Sequence, residues 1–443
     1  MAYDIIIGRS ESQRKKYGDK GILYIGKTYV QMGQTVSLSN RVFVDVAGAH
    51  VLFIAGKRGG GKSYTMGVFA EGVADLDEDV RKNLSFIFLD TMGVYWTMKY
   101  PNKKEPELLE QWGLDSKSVD VVIYTPVEYF KKYKEMGIPT DKPFSIKPSE
   151  LSASDWCTTF EIDENDPMGV LIERIVGRIK KEKGGNFSIK DLVDYVQNDM
   201  HAPQNVKDAV ENRFNATDHW GVFGEDGTEI GELAKGGQIT ILDVSCYATM
   251  PNGWRIKQLI VGLVSMHLFI QRMVARKKEE FDQVKNALNY FSQEDTSDEK
   301  QDMPLVWLVI DEAHEFLPRD KEDTNAATMP LVTIMREGRQ PGISLILATQ
   351  QPGKIHSDVM TQSDIVLSTR ITAKLDVEAL SVLSAGQAGG IIDAMNTLPR
   401  DKGSCVIFDD TNERIYQMKI RPRFTWHGGE SPSAVHPKKD AKF

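Results

Sequence analysis

Three cysteines, at positions 157, 246 and 405, are all that the 443 residues contain. None lies in a CxxC pair or near histidines at zinc-ligand spacing. That excludes a disulfide scaffold and a zinc site, and fits a reducing, cytoplasmic setting in which each is a buried small apolar side chain. Long apolar runs are also missing. No stretch approaches the ~18 apolar residues of a membrane span, and the N-terminus lacks the apolar segment of a signal peptide, so no membrane partner is expected. The longest apolar run, near residues 259–270, is interrupted by Ser265 and His267 and reads as a buried helix. Basic charge is not in excess either: 63 acidic against 54 basic residues leave a formal charge of −9. Such a balance counts against an extended nucleic-acid footprint, though not against a few basic loops. The eight histidines form no metal set, and no repeat has solenoid spacing.

What the chain does contain is a rhythm of short apolar runs. Residues 22–25, 29–32, 35–38 and 42–46 are β-like pieces separated by Gly, Ser and Asn, too few for a full barrel. From residue 51 the pattern changes: 51–54 is fully apolar, and further apolar runs follow at 86–89, 121–124, 239–244, 306–310, 344–348, 365–368, 404–408 and 415–420, most of them separated by helical segments. Buried strands alternating with helices indicate an α/β fold with a central, mainly parallel sheet covered on both faces. Between residues 149 and 236 the strand signal nearly vanishes, and 170–181 and 189–197 have helical spacing. The expected organisation is a short N-terminal β subdomain (1–49), a first part of the core (50–148), a helical insertion (149–236), a second part of the core (237–427) and a flexible tail (428–443). A polar, acidic loop is expected over 291–302.

Gly56-Lys57-Arg58-Gly59-Gly60-Gly61-Lys62-Ser63 matches GxxxxGK[ST] in full, between an apolar strand and a helix that begins near Tyr64. Each residue type has a chemical reason. Glycines let backbone N–H groups curl around phosphates, Lys62 reaches the β- and γ-phosphates, and the Ser63 hydroxyl can ligate magnesium. The helix N-terminus, with Tyr64 in its first turn, faces the anion. Residues 308–312, Leu-Val-Ile-Asp-Glu, place two acids at the end of a buried strand. There Asp311 would complete the magnesium shell and Glu312 would polarise an attacking water. ATP and Mg2+ are therefore the expected ligands.

Other residues read two ways. Asp90 closes the run 86–89; it either assists magnesium or water, or caps a turn. Gln350, after the run 344–348, either senses the γ-phosphate or belongs to ordinary turn chemistry. Arg336 and Arg339 either stabilise charge on a transferring phosphate, in the same subunit or a neighbour, or end a solvated helix. His314 either touches the acidic pair or is structural. The basic stretches 99–104, 178–183 and 272–278 could contact nucleic acid, but solvated helix faces give the same pattern.

The ordered segments GKRGGGKSYT, FLDTMGVYW, ITILDVS, VWLVIDEAHEFLP, REGRQPGISLILATQQP and KIRPRFTWHGG together resemble the HerA branch of the HerA/FtsK motor ATPases, over roughly residues 20–430. The resemblance implies a RecA-like P-loop NTPase core. It also implies a hexameric homo-oligomer that moves double-stranded DNA through a pore, in company with a nuclease or other effector, in DNA processing or anti-phage defence. Lys62, Ser63, Asp311, Glu312 and Gln350 fall on matching motif positions. Asp90 matches the acid of the family's D-x-x-G-E-Y segment, but Val94 replaces its glutamate. His50 stands where relatives carry an arginine that acts on the neighbouring subunit, so that role falls to Arg336, Arg339 or Arg370 or is absent. The N-terminal β region is shorter than the family's usual barrel. A secretion- or conjugation-type motor and a scaffold ATPase of an effector complex are the alternatives.

Overall fold

The computed structural model describes residues 3–32, 35–288, 303–381 and 390–429. The expected acidic loop 291–302 and tail residues 430–443 lie outside the described residues. Among the described residues, thirteen strands join one sheet. In chain order they are β1 (Ile5–Ile7), β2 (Ile22–Met32), β3 (Thr35–Asp45), β4 (Val51–Ala55), β5 (Leu84–Asp90), β6 (Val121–Pro126), β7 (Lys142–Phe144), β8 (Ile239–Asp243), β9 (Leu305–Ile310), β10 (Ile343–Thr349), β11 (Ile365–Thr369), β12 (Ser404–Asp409) and β13 (Arg414–Ile420). Every apolar run from residue 51 onward became a strand. The reason is visible in β4: Phe53 and Ala55 pack into one core, Leu52 and Ile54 into the core on the opposite face. With both faces covered, no polar alternation survives in the sequence.

The strand order is β1-β3-β2-β13-β12-β11-β4-β10-β9-β5-β8-β6-β7. From β11 to β7 every pairing is parallel. The C-terminal ends of these strands therefore share one edge, where loops can meet. On the other side β12, β13, β2 and β3 continue the sheet antiparallel. Residues 1–49, expected as a β subdomain, thus extend the core sheet rather than standing apart from it. The four pieces expected there merge into two long strands, β2 and β3, with Gly26 and its neighbours at register shifts inside β2 rather than at turns, and the short β1 is additional. A Cβ on Gly26 would lie 2.1 Å from the Lys419 carbonyl oxygen of β13, so the glycine permits strand contact instead of ending a strand.

The phosphate-loop helix α1 spans Lys62–Ala74. The stretch 149–236 carries α2 (Ala153–Phe160), α3 (Pro167–Lys183), α4 (Ile189–Gln197) and α5 (Gln204–Thr217), with no strand. Ser152 with Asp155 and Ser188 with Asp191 form reciprocal caps that start α2 and α4. Next comes α6 (Gly253–Leu288), the one described helix that is long and apolar enough to cross a membrane; 56% of its apolar window is buried inside the fold. Helix α7 (Thr328–Glu337) precedes β10.

Candidate active site

The phosphate loop leaves β4 at Gly56 and enters α1 at Lys62. Gly61 has φ +87°, a conformation that side chains disfavour. At Gly56 a Cβ would meet the Thr369 hydroxyl at 2.2 Å. Both glycines are therefore steric requirements. Gly59, also left-handed at φ +74°, has open space around it. The loop is fastened at Lys57, whose Nζ hydrogen bonds Thr372, and at Gly60, whose N–H donates to the Lys57 carbonyl at 2.9 Å. Arg58 is exposed at the tip. Lys62 is buried, and its Nζ donates to the Lys57 carbonyl at 3.3 Å. Burial lowers the pKa of this ammonium, while Glu312 and Asp311 pull the other way. A buried cation whose hydrogen bond reaches only a backbone carbonyl is suited to receive a phosphate.

Opposite, β9 delivers Asp311 and Glu312. The Ser63 hydroxyl donates to Asp311 Oδ2 at 2.6 Å, and the Glu312 N–H donates to Asp311 Oδ1 at 2.9 Å. Glu312 sits at φ +51°, left-handed for a non-glycine residue. That conformation costs about 1–2 kcal/mol and turns the side chain toward the next strand. There the Gln350 amide donates to Glu312 Oε1. The other oxygen, Oε2, is buried without a hydrogen-bond partner. Burial raises the Glu312 pKa, the Gln350 bond opposes this, and the Asp311 charge adds to the rise. Because β10 lies between β4 and β9, Gln350 emerges between the phosphate loop and the acids.

His314, one of whose two readings was contact with the acidic pair, lies beside Glu312, and Tyr95, which the sequence did not single out, adjoins Asp311. His314 Nδ1 lies 3.0 Å from the Thr349 hydroxyl and 3.6 Å from Glu312 Oε2, and its Nε2 lies 3.1 Å from Gln351 Nε2. It also lines a cleft of about 730 Å3 together with Thr158, Trp254, Arg255, Arg319 and Lys354. The Tyr95 phenol is fully buried and donates to Met66 Sδ at 3.8 Å; burial raises its pKa, and the charges of Asp311 and Asp90 add to the rise. The signal for it was an aromatic residue in the turn after Asp90; burial alone could not show which way it pointed.

Several expected residues are placed elsewhere. Asp90 is engaged by its own turn. Its carboxylate accepts the N–H groups of Met92 (3.2 Å), Gly93 (2.7 Å) and Tyr95 (2.9 Å), which is the turn-capping alternative. Its register partner on β8 is Asp243, and burial together with that second carboxylate raises the Asp90 pKa to about 7. Tyr64, expected at the nucleotide, accepts the Arg423 N–H at 2.7 Å and packs edge-on against His427. Arg339 precedes β10, whose seven residues put it roughly 20 Å from the site, at the opposite sheet edge. Arg336, bonded to Asp358 at 2.5 Å, ends α7 at that same edge. Neither reaches the nucleotide site of its own chain. Arg370 follows β11 at the site edge, where its guanidinium donates to the Leu398 carbonyl at 2.6 Å. His50 is a buried structural cation: Asp364 lies 2.6 Å from Nδ1 and Asp45 3.3 Å from Nε2, and although burial alone would lower its pKa, these carboxylates raise it to about 9.

A phosphate loop on one parallel strand, a serine-linked acid on another and a polar residue from the strand between them define a P-loop NTPase. The chain belongs to the family described as the central domain of the helicase HerA, whose sequence model matches residues 25–262, more than half of its length. It is 23% identical over 385 residues to the "Probable DNA double-strand break repair helicase HerA" of Methanocaldococcus jannaschii, covering 80% of this chain and 69% of that protein. It is 26% identical over 196 residues to the DNA double-strand break repair helicase HerA of Pyrococcus furiosus, covering 42% of this chain and 34% of that one. The structure of VirB4 of Thermoanaerobacter pseudethanolicus superposes with a TM-score of 0.54 at 14% identity, over 92% of this chain and 97% of VirB4. That likeness shows the shared α/β ATPase fold.

Proposed function

We propose that this chain is the motor subunit of a cytoplasmic hexameric ring that hydrolyses ATP to translocate or remodel double-stranded DNA, working with a nuclease or other effector in DNA processing or anti-phage defence. The observation that carries the motor reading is the Gln350–Glu312 contact. A protein that only stores nucleotide has no need of a strand-end amide holding the hydrolytic carboxylate, whereas a motor must convert the state of the γ-phosphate into movement of a strand. The double-strand-break repair helicases among its relatives support DNA as the substrate.

Within this reading the loop N–H groups and Lys62 bind the phosphates. The site fits Mg2+: a hydroxyl and a carboxylate, both hard oxygen donors, converge where Ser63 meets Asp311 at 2.6 Å. The ion would offset phosphate charge there. Glu312 Oε2, buried and without a hydrogen-bond partner, is the free lone pair that orients the attacking water, while Gln350 holds the other oxygen. The neighbour's cation is Arg339, which makes no hydrogen bond or ion pair among the described residues and leaves its own site at the far sheet edge.

The scaffold-ATPase alternative has one observation in its favour. The basic stretches expected to meet DNA are largely neutralised, Lys99 by Asp141, Arg178 by Glu182, Lys183 by Asp191 and Arg276 by Glu279 and Glu280. ATPase rate with and without duplex DNA, on a verified hexamer, separates the two. Several-fold stimulation is expected; an unchanged rate would leave the scaffold reading.

A further inference from the structure

Glu71 lies in the third turn of α1 and is completely buried. Its carboxylate accepts from Arg421 Nη1 (2.6 Å), Arg423 Nε (3.3 Å), the Phe424 N–H (3.2 Å), the Thr425 N–H (2.9 Å) and the Thr425 hydroxyl (2.6 Å). Both guanidinium groups are themselves buried. A buried charge is tolerated only when paired and fully hydrogen bonded, so this cluster forms as a unit or not at all. The helix is shaped to receive it: a Cβ on Gly67 would lie 2.5 Å from Arg423 Cζ.

The same segment grips the start of the helix and the turn that faces it. The Arg423 N–H donates to the Tyr64 hydroxyl at 2.7 Å, one residue after Ser63. On its other side Asn102 N–H donates to the Phe424 carbonyl at 2.9 Å, Trp426 N–H to the Tyr100 carbonyl at 2.7 Å, and the Thr97 hydroxyl to the Trp426 carbonyl at 3.0 Å. Thr97 belongs to the 3-10 turn Tyr95–Lys99, whose first residue donates its buried phenol to Met66 Sδ of α1 at 3.8 Å. One strap of chain therefore ties down both the helix that carries Lys62 and Ser63 and the turn that carries Tyr95.

We propose that residues 421–427 form a latch that positions the phosphate loop, with Glu71, Arg421 and Arg423 as positioning residues that set nucleotide affinity. This rests on the reading of residues 56–63 as the nucleotide site. A helix that shifts by one residue moves by about 1.5 Å and turns by about 100°, and either motion breaks the Glu71 cluster and the Tyr64 contact together. The latch holds Lys62 and Ser63 in phosphate-ready register before ATP arrives, which is preorganisation.

The test uses the full chain and a fluorescent methylanthraniloyl-ATP probe. Tyr64→Phe removes the acceptor of one buried N–H and leaves the ion cluster intact. Arg423→Lys keeps the charge but loses the planar fork. Both are expected to raise the Kd for the probe and the KM for ATP by roughly three- to tenfold, with kcat at saturating ATP within about twofold. Amide hydrogen exchange over residues 60–66 should quicken in both. A lowered Tm with unchanged Kd, KM and exchange would overturn the latch and leave a merely structural clamp. If Arg423→Lys fails to fold, Tyr64→Phe decides alone. Lys62→Ala serves as the control: retention of probe binding in that variant would overturn the nucleotide-site reading itself.

Discussion

The Ser63 hydroxyl donates to the Asp311 carboxylate at 2.6 Å across 248 residues of chain. Two motifs that are remote in sequence thus share one hydrogen bond, at the position proposed to hold Mg2+. Replacing Asp311 by Asn should raise the Mg2+ concentration needed for half-maximal ATPase by about tenfold or more, since a carboxylate ligand is lost. A Mg2+ titration of turnover checks this, with Ser63→Ala expected to shift in the same direction.

Lys62→Ala should abolish ATP binding, whereas Glu312→Gln should bind ATP and lose turnover by about 100-fold or more, the size of a general-base contribution. Equilibrium binding and single-turnover hydrolysis distinguish them. Equal loss of affinity in both variants would contradict the assigned roles.

Asp90 caps a turn, so Asp90→Asn, which keeps the Oδ1 acceptor for the N–H groups of Met92 and Gly93 and loses only the Oδ2 acceptor of the Tyr95 N–H, should keep turnover within about threefold. The pH dependence follows from the sign of the shift. Burial and Asp243 raise the Asp90 pKa from 3.8 to about 7, so the stability it contributes is present below pH 3.8 and lost as pH rises through 7. The Asn variant should therefore melt higher than the parent at pH 8 and close to it at pH 4.

His50 is raised from 6.5 to about 9 between Asp45 and Asp364. Its contribution is complete below pH 6.5 and is lost as pH rises through 9, a loss on the order of 3 kcal/mol. His50→Gln should flatten that part of the stability profile, measured by urea unfolding from pH 6 to 10. A parallel profile in the variant would show that the Asp45–His50–Asp364 pairs do not carry the dependence.

Arg339 should act in trans. Arg339→Ala and Glu312→Gln subunits, each inactive alone, should regain part of the turnover when co-assembled, because some interfaces then pair an intact arginine with an intact Glu312. No recovery in mixed rings of verified composition would remove Arg339 from the role.

Much was legible along the chain because it depends on local pattern. The apolar runs at 51–54, 306–310 and 344–348 could only be strands buried on both faces, and the phosphate loop carries its chemistry within eight consecutive residues. What the local pattern left open depended on direction. Asp90 stands at a strand end just as Asp311 does, but its lone pairs are spent on its own turn. Arg336 and Arg339 lie near Gln350 in sequence, yet the length of β10 carries them to the opposite edge of the sheet. Tyr64 follows Ser63, but helical rotation turns it toward Arg423.

The sequence by itself determined a P-loop NTPase with a parallel sheet, since steric demands at glycines and two-sided burial leave their mark residue by residue. Only the tertiary structure decided that Ser63 meets Asp311, that Gln350 holds Glu312, that His50 is a structural cation and that residues 421–427 clasp the phosphate-loop helix. These are contacts between distant segments, and their geometry follows from strand order and buried charge pairing, which no local pattern encodes.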